Sequence, residues 1–356
     1  MKKTTIGERS VGCDEPIYFI ADISANHDGD LERAKKLIRL AAHAGADAAK
    51  FQNFRASKIV SDHGFRSLAG QLSHQSSWRM SVFEVYQAAS IPFEWAPELS
   101  EECEEAGVHY FSSPYDFEAV NELEAFFAAI KIGSGDITWL EIIRLIASKG
   151  KPVILATGAS TLEEVQRAVE AILELNPELV LMQCNTSYTA SPDNFDHIHL
   201  NVLKTYAELY PQVVLGLSDH TAGHATVLGA VALGARVIEK HFTDDTNREG
   251  PDHLFSMDPD SWREMVDRTR ELERALGSPE KKIASNETET VAIQRRCLRA
   301  VQKIETGSTL TREMITVLRP AQAGAIEPHE IEDVVGSTAL VDVPAHEALE
   351  WKMFRN

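Results

Sequence analysis

The feature that most constrains this fold is a regular alternation of short apolar segments and helical segments, which starts at Ile17 and ends at about Gly277. Its clearest unit is 216–245, where two apolar strands flank a helix of small residues. A strand–helix–strand unit of this kind normally forms a parallel, right-handed pair. Eight segments have strand character, namely 18–23, 48–54, 108–113, 129–134, 153–156, 179–184, 213–218 and 237–242. Eight parallel units predict a TIM barrel better than an open doubly wound sheet.

Helical patterns separate these strands, and one longer helix follows the last of them. They cover residues 30–44, 98–106, 116–124, 160–175, 222–233 and 259–276. Ser160 and Glu163 have the spacing of a capping box. Gly45, Gly107 and Gly150 stand where helix C-caps are expected.

One interruption falls between the second and third strands. Residues 63–95 are too many for an ordinary connection and include Trp78, Phe83, Tyr86 and Trp95. A long loop on the catalytic face of a barrel is often a lid or a wall of the substrate pocket. Surface elaboration that packs on itself explains the same composition equally well, so the sequence leaves both interpretations open.

The alternation stops after Gly277. Residues 281–290 are polar and charged, which is typical of a linker, and 291–356 contain short β-like runs at 298–301, 315–318 and 339–341. We therefore predict a barrel domain over 1–280, a linker over 281–290 and a small, mostly β domain over 291–356. Such a short domain buries little core, so we expect it to lean on another surface.

The charge balance excludes some classes of partner. The chain has 35 basic and 54 acidic residues, a formal net charge of −19. This charge argues against nucleic acid or an anionic membrane as a partner. A small anionic substrate would need basic groups placed inside a pocket, against the overall field.

Cysteine usage and hydropathy predict a cytoplasmic location. Cys13, Cys103, Cys184 and Cys297 are scattered and form no CxxC pair, so we expect reduced thiols. No apolar run approaches the roughly 18 residues that span a bilayer. The polar start MKKTTIGERS lacks the apolar core of a signal peptide.

Polar residues occupy the carboxyl ends of all eight predicted strands, where a TIM barrel has its active site. In chain order they are Asp22, Lys50, Gln52, Ser112, Ser113, Lys131, Ser134, Asp136, Thr157, Asn185, Thr186, Tyr188, Ser218, His220 and His241. So many lysines, carboxylates, imidazoles and hydroxyls on one rim indicate a functional site.

Two lysines alternate with apolar neighbours, so their side chains should point into the barrel mouth. Burying a lysine without a partner is costly. Lys50 and Lys131 are therefore expected either to pair with Asp22 or Asp136 or to bind an anion. With the nearby hydroxyls and the backbone amides of 133–135 and 157–159, a phosphate or a carboxylate fits.

Two histidines end adjacent parallel strands, so topology should bring them together. One histidine at a strand end is more often a hydrogen-bonded structural residue. The pair, His220 and His241, favours a divalent ion whose other ligands are water or substrate oxygens. Asp252, in the loop after the eighth strand, could orient or deprotonate water, and a turn-forming aspartate after Gly250-Pro251 is the competing explanation.

The strand-end motifs together resemble the sialic acid synthase family, the phosphoenolpyruvate-dependent nonulosonate synthases. This family includes N-acetylneuraminate, legionaminate and pseudaminate synthases. The motifs are FIADISANHDGD, ADAAKFQNF, FSSPYDFEA, IKIGSGD, ILATGAS, LMQCNTSY, GLSDHT and IEKHFTDDTNREGPDH. Residues 291–356 resemble the family's C-terminal antifreeze-like (SAF) domain, so the resemblance covers nearly the whole chain.

The resemblance implies condensation of phosphoenolpyruvate with the open-chain aldehyde of an N-acylated amino sugar, with cleavage of the C–O bond of phosphoenolpyruvate. The positions that hold phosphoenolpyruvate in the family are Lys131, Ser134, Thr157, Thr186 and Ser218, with Lys50 and Gln52 beside them. The metal ligands, for manganese or magnesium, would be His220 and His241. That ion polarises the sugar aldehyde.

Further roles follow from the same resemblance. Asp22 and Asp252 are the carboxylates that would assist the addition of water, and Tyr188 and Asp136 match positions on the sugar side. In the family the small domain is donated to the neighbouring subunit of a homodimer. Arg319 matches the arginine that it brings to the other active site.

The chain also departs from the family's pattern. Asp22 stands where the family usually has Glu, Asp136 where it often has Glu, and Thr186 where the best-known neuraminate synthases have Asn. Some motifs look like the pseudaminate branch and others like the neuraminate and legionaminate branches. The sugar acceptor is therefore left undecided among these branches.

Two other functions are compatible with the residues. Lys131 or Lys50 could form a Schiff base with a carbonyl substrate, as in lysine aldolases, although this leaves the histidine pair unexplained. The second is a barrel that has lost catalysis and serves in binding or assembly. Asp22, a changed carboxylate at a catalytic position, is the feature that favours it.

Overall fold

The computed structural model describes residues 3–68, 75 and 78–355. The chain divides into two compact units, Met1–Gly277 and Ser278–Asn356. No helix within the described ranges combines the length and the apolar character that crossing a bilayer requires.

The first unit is a closed barrel of eight parallel strands, as the sequence predicts. In chain order, β1 to β8 are Tyr18–Asp22, Ala48–Asn53, His109–Pro114, Ile130–Ile132, Val153–Ala156, Leu179–Cys184, Val214–Asp219 and Val237–His241. Each strand pairs with its neighbour in the chain, and β8 pairs with β1 to close the barrel. A hairpin of Lys3–Ile6 and Arg9–Gly12, which the sequence did not predict, precedes β1.

Helices follow the strands around the barrel. The principal ones are Leu31–Ala44, Ala96–Ala106, Phe117–Leu123, Leu140–Ser148, Leu162–Leu173, Val202–Leu209, Ala225–Ala232 and Pro259–Leu276. One prediction was wrong by a single residue, because the capping box of Leu162–Leu173 is formed by Thr161 and Glu164 and not by Ser160 and Glu163. Gly45 and Gly107 are left-handed C-caps, as predicted.

The insertion after β2 contains helices and is not one continuous loop. Its described helices are Ala56–Ile59, Asp62–Ser67 and Val82–Ala89, followed by the 3₁₀ turn Phe93–Trp95. Tyr86 packs with its ring centroid 5.3 Å from that of Phe54, the residue just beyond β2. The last of these helices therefore lies against the carboxyl-end face of the barrel.

The second unit is small and rich in β-structure. Cys297–Ala300 pairs with Ile315–Leu318, and Thr338–Ala339 pairs with Phe354–Arg355, both antiparallel. Two short helices, Thr288–Gln294 and Ile331–Val334, complete it, and the first begins inside the predicted linker. Its core includes Leu298, Ile304, Leu310, Ile326 and Leu349.

Gly216 on β7 shows how tightly the barrel interior is filled. A Cβ added there would lie 2.7 Å from the carbonyl oxygen of Val237 and 3.1 Å from Cε of Met182. The first of these contacts is with backbone of the neighbouring strand, which cannot give way without moving β8.

We predict that Gly216→Ala lowers the free energy of unfolding by about 1–3 kcal/mol, because the extra methyl group overpacks the barrel. Urea denaturation of the full-length protein measures the change. Gly135→Ala is the matched control, since a Cβ at Gly135 would meet nothing within 4 Å. Equal stability of the Gly216 variant and the control would contradict the packing argument.

Candidate active site

One pocket at the carboxyl ends of the strands gathers most of the residues singled out from the sequence. Those that line it are Asp22, Lys50, Gln52, Ser113, Lys131, Ser134, Tyr188, Ser218, His220, His241 and Asp252. Gln75, Trp78, Val85, Tyr86 and Ala89 of the insertion also line it. This supports the interpretation of the insertion as a substrate wall.

The two lysines converge on a single carboxylate. Lys131 Nζ donates to Oε1 of Glu239 at 2.6 Å, and Lys50 Nζ donates to the same oxygen at 3.4 Å. Ser218 Oγ adds a third hydrogen bond to that atom at 3.1 Å. Lys50 also forms an ion pair with Asp22 Oδ2 at 2.6 Å. Both lysines are 3% exposed, so these carboxylates provide the compensation that burial requires.

The two amines differ in their electrostatic surroundings. Burial lowers the pKa of Lys131, and the attraction of Glu239 offsets this only in part. Burial acts on Lys50 in the same direction, but Asp22 and Glu239 outweigh it and raise its pKa. Burial would raise the pKa of Glu239, yet Lys131 and Lys50 dominate and lower that pKa to about 2. Lys50 is thus the more firmly held ammonium group.

The imidazoles of His220 and His241 lie side by side, with ring centroids 5.2 Å apart. Tyr188 contacts both rings edge-on, at 4.3 and 6.2 Å between centroids, and Phe255 lies 4.9 Å from His241. His241 Nε2 is 3.5 Å from Oδ2 of Asp22. The predicted convergence of the two histidines is therefore present, in an aromatic frame contributed by two other loops.

The histidine pair has the lone pairs that a cation needs. His220 Nδ1 donates to the carbonyl oxygen of Asn185 at 2.7 Å, which leaves Nε2 as the unprotonated nitrogen. Burial, followed by the proximity of His241, lowers the pKa of His220 to about 3, so its ring is neutral. Nδ1 of His241 is buried and has no hydrogen-bond partner among the described residues. Within the same residues no cluster of three His, Cys, Asp or Glu side chains forms a ligand set, so other ligands would be water or substrate.

The loop after β1 holds Asp252 at the pocket mouth. Its Oδ2 accepts hydrogen bonds from the hydroxyl of Ser24 and, at 3.2 Å, from the backbone N–H of Ala25. The next residue, His253, is fully buried and is hydrogen-bonded through Nε2 to Oδ1 of Asp28 at 3.0 Å. These contacts join the loops after β8 and β1, so Asp252 links two loops and is not only a turn-forming residue.

Most of the chain matches known proteins. Residues 37–281 match the NeuB family, and residues 295–355 match the SAF domain. An uncharacterised protein of Methanocaldococcus jannaschii is 36% identical over 90% of both chains. The N,N'-diacetyllegionaminic acid synthase of Legionella pneumophila is 34% identical over 97% of both chains. The pseudaminic acid synthase of Campylobacter jejuni is 34% identical over 96% of this chain and 98% of its own.

The chain belongs to the NeuB family. It is an enzyme of that family, as the strand-end motifs predicted. The fold is similar to that in the crystal structure of the N-acetylneuraminic acid (sialic acid) synthetase from Leptospira borgpetersenii. The TM-score is 0.72, and the two are 27% identical over 82% of this chain and 95% of that one.

Four residues that the family resemblance assigned to the site of this NeuB-family enzyme lie outside the lining of the pocket, namely Asp136, Thr157, Thr186 and Arg319. The Thr157 hydroxyl donates to the carbonyl oxygen of Met182 at 2.9 Å and accepts a hydrogen bond from Tyr206. Arg319 belongs to the second unit, where it follows the strand Ile315–Leu318. The roles predicted for these residues stay predictions.

Glu239 is the residue that sequence reasoning missed. Its inward orientation could have been predicted, because residues two apart on a strand face the same side and Glu239 precedes His241 by two. Asp136 was expected as a possible partner of the lysines, but it lies on the 3₁₀ turn Ser134–Asp136 and forms no ion pair with either of them. Phe255, which contacts both imidazoles, has no comparable signal in the sequence.

Asp136 gives a prediction for the pH dependence of stability. Burial raises the pKa of its carboxyl group to about 6. A folded-state pKa above the unfolded value means that stability is lost as pH rises through about 6. Asp136→Asn removes this ionisation, so the variant should gain about 2 kcal/mol relative to wild type between pH 4 and pH 7.5. Urea titrations across that range measure it, and a difference that does not change with pH would contradict it.

Proposed function

We propose that this enzyme condenses phosphoenolpyruvate with the open-chain aldehyde of an N-acylated amino sugar, either N-acetylmannosamine-like or a 2,4-diacetamido-dideoxyhexose. The enol carbon forms a bond to the aldehyde carbon, water adds at C2, and the bond from C2 to the phosphate oxygen breaks. The products are a nine-carbon 2-keto acid and phosphate. The observation that carries the proposal is the convergence of two buried lysines and two imidazoles in one pocket of a chain related along its length to synthases.

The anionic substrate belongs beside the lysines. Lys131 and Ser218 already share one carboxylate oxygen of Glu239, so both can donate to a phosphate or carboxylate oxygen placed at the same point. Ser134 adds a hydroxyl at the end of β4, where it accepts from the backbone N–H of Gly158 at 2.9 Å. These groups hold the substrate by charge-assisted hydrogen bonds.

The charge of the pocket supports a metal on the imidazole side. Among the described lining residues, the two ammonium groups of Lys50 and Lys131 face three carboxylates, those of Asp22, Glu239 and Asp252. Two positive and three negative charges leave a net charge of −1, which opposes a multiply charged anion. A manganese or magnesium ion held by His220 and His241 would reverse that sign and would polarise the sugar aldehyde.

Two carboxylates are placed to handle the proton of the attacking water. Oδ2 of Asp22 pairs with Lys50, while Oδ1 is buried without a hydrogen-bond partner among the described residues and can accept one from a substrate or water. Asp252 is fixed at the mouth by Ser24 and Ala25. A carboxylate within hydrogen-bond reach of water at C2 can accept its proton as the C–O bond to phosphate breaks.

The test is release of phosphate from phosphoenolpyruvate by the full-length protein with manganese and a panel of N-acylated amino sugars. We expect turnover with at least one acceptor, loss of turnover with EDTA, and no detectable turnover for His241→Ala. His43→Ala, at an exposed histidine outside the pocket, is the matched control and should retain wild-type activity. Unchanged turnover of His241→Ala would overturn the metal assignment.

A label locates the bond that breaks. Phosphoenolpyruvate that carries ¹⁸O in the bridging position should deliver the label to phosphate, because the bond between C2 and the bridging oxygen is cleaved. Mass spectrometry of the released phosphate measures this. Label retained in the keto acid would show that the P–O bond breaks and would contradict the proposed reaction.

The lowered pKa of Lys131 favours one second candidate, a Schiff-base aldolase, because such an enzyme needs a neutral amine. Reduction with borohydride in the presence of pyruvate distinguishes the two reactions. The proposed synthase forms no covalent adduct, whereas an aldolase gains the mass of the reduced substrate at this lysine. Lys131→Met locates the site of any adduct.

A further inference from the structure

The last positions of β7 and β8 alternate between the inside and the outside of the barrel. Ser218 stands opposite Glu239 on the inside, and Asp219 stands opposite Lys240 on the outside. The next residue after each of these two, His220 beyond β7 and His241 at the end of β8, again lines the pocket. The two imidazoles thus follow directly after the charged pair Asp219 and Lys240 and lie on the opposite, inner face.

This outer pair is completely buried. Nζ of Lys240 lies 2.5 Å from Oδ2 of Asp219, and their side chains are 1% and 0% exposed. Lys240 also donates to the carbonyl oxygen of Thr221 at 2.5 Å. Asp219 accepts from the backbone N–H and the hydroxyl of Thr221, and from the hydroxyl of Thr226 at 2.7 Å. The residues on both sides of His220 are therefore fastened to β8.

We propose that Asp219 and Lys240 are positioning residues that hold His220 and His241 at the separation needed to bind one divalent cation. The inference rests on the proposed metal role of the two histidines. Neither residue lines the pocket, so both act through the backbone of the neighbouring histidine. They fix the backbone at the ends of the two strands, whereas the hydrogen bond to the carbonyl oxygen of Asn185 fixes the ring of His220.

Stability alone gives a poor reason for this pair. The other outward residues of the two strands are buried apolar side chains, such as Leu215, Leu217 and Ile238. An apolar pair at the outer position would be as stable or more stable, because the desolvation of two buried charges offsets their attraction. What an apolar pair cannot supply is the directional bond from Lys240 to the carbonyl of Thr221. That bond fixes the chain immediately after His220.

The test is the affinity of the full-length protein for manganese, measured from the electron paramagnetic resonance signal of free Mn²⁺ without substrates. The variant is Asp219→Asn with Lys240→Met, which removes both charges together and leaves no unpaired buried ion. The asparagine oxygen still accepts from Thr226. We expect manganese affinity to fall about 10- to 100-fold, the range typical when groups that orient metal ligands are lost.

Two controls separate positioning from general loss of structure. Met265→Ala, in the buried face of the helix Pro259–Leu276, should lower the melting temperature without changing manganese affinity. Phosphoenolpyruvate affinity, measured by calorimetry at saturating manganese, should be the same in the paired variant and wild type, because the lysine side of the pocket is untouched. A fall in both affinities would indicate a structural role only and overturn the inference.

The remaining outcomes are equally decisive. Wild-type manganese affinity in the folded paired variant would overturn the positioning role and leave the proposed function standing. Equal manganese affinity of wild type and His220→Ala would show that the histidines do not bind the ion. In that case the metal part of the proposed function falls, and the positioning inference falls with it.

Discussion

The pairing of two buried lysines with two buried carboxylates is the interaction on which this active site depends. Lys50 on β2 and Lys131 on β4 reach Glu239 on β8, so the ion pairs connect strands from different sides of the barrel. Removing one member of such a pair costs about 3–5 kcal/mol, because the other charge is left uncompensated. Glu239 therefore both compensates the two buried amines and ties β2 and β4 to β8.

The fold was predictable because it follows from short-range patterns. Alternation of strand and helix gave eight strands within two residues of their observed bounds. Alternation within each strand placed both lysines in the mouth. Glu239, the partner of Lys131, was not predicted. Its role depends on which residues of β8 face the interior, and of these only the terminal histidine stands out in the sequence. Asp136 does not pair with the lysines because it lies on the 3₁₀ turn beyond the end of β4.

The histidine pair was also predictable, since adjacent parallel strands end on the same rim. The orientation of the rings was not. It depends on the carbonyl of Asn185 after β6 and on Tyr188 and Phe255, which come from different loops. Contacts between loops carry no periodic signal, so the pattern of the sequence brings the two histidines together but does not set the orientation of their rings. The capping box was placed one residue early because both Ser160 and Thr161 have a glutamate three positions on.

Asp22 connects the two halves of the site. It lies between its neighbours in the sheet, with Lys50 on β2 and His241 on β8. One oxygen is 2.6 Å from the amine and 3.5 Å from the imidazole, so a change at either group alters the field at the other. The carboxylate of this aspartate stays close to the strand, where it can reach both neighbours. This short side chain therefore couples the ammonium group of Lys50 to Nε2 of His241.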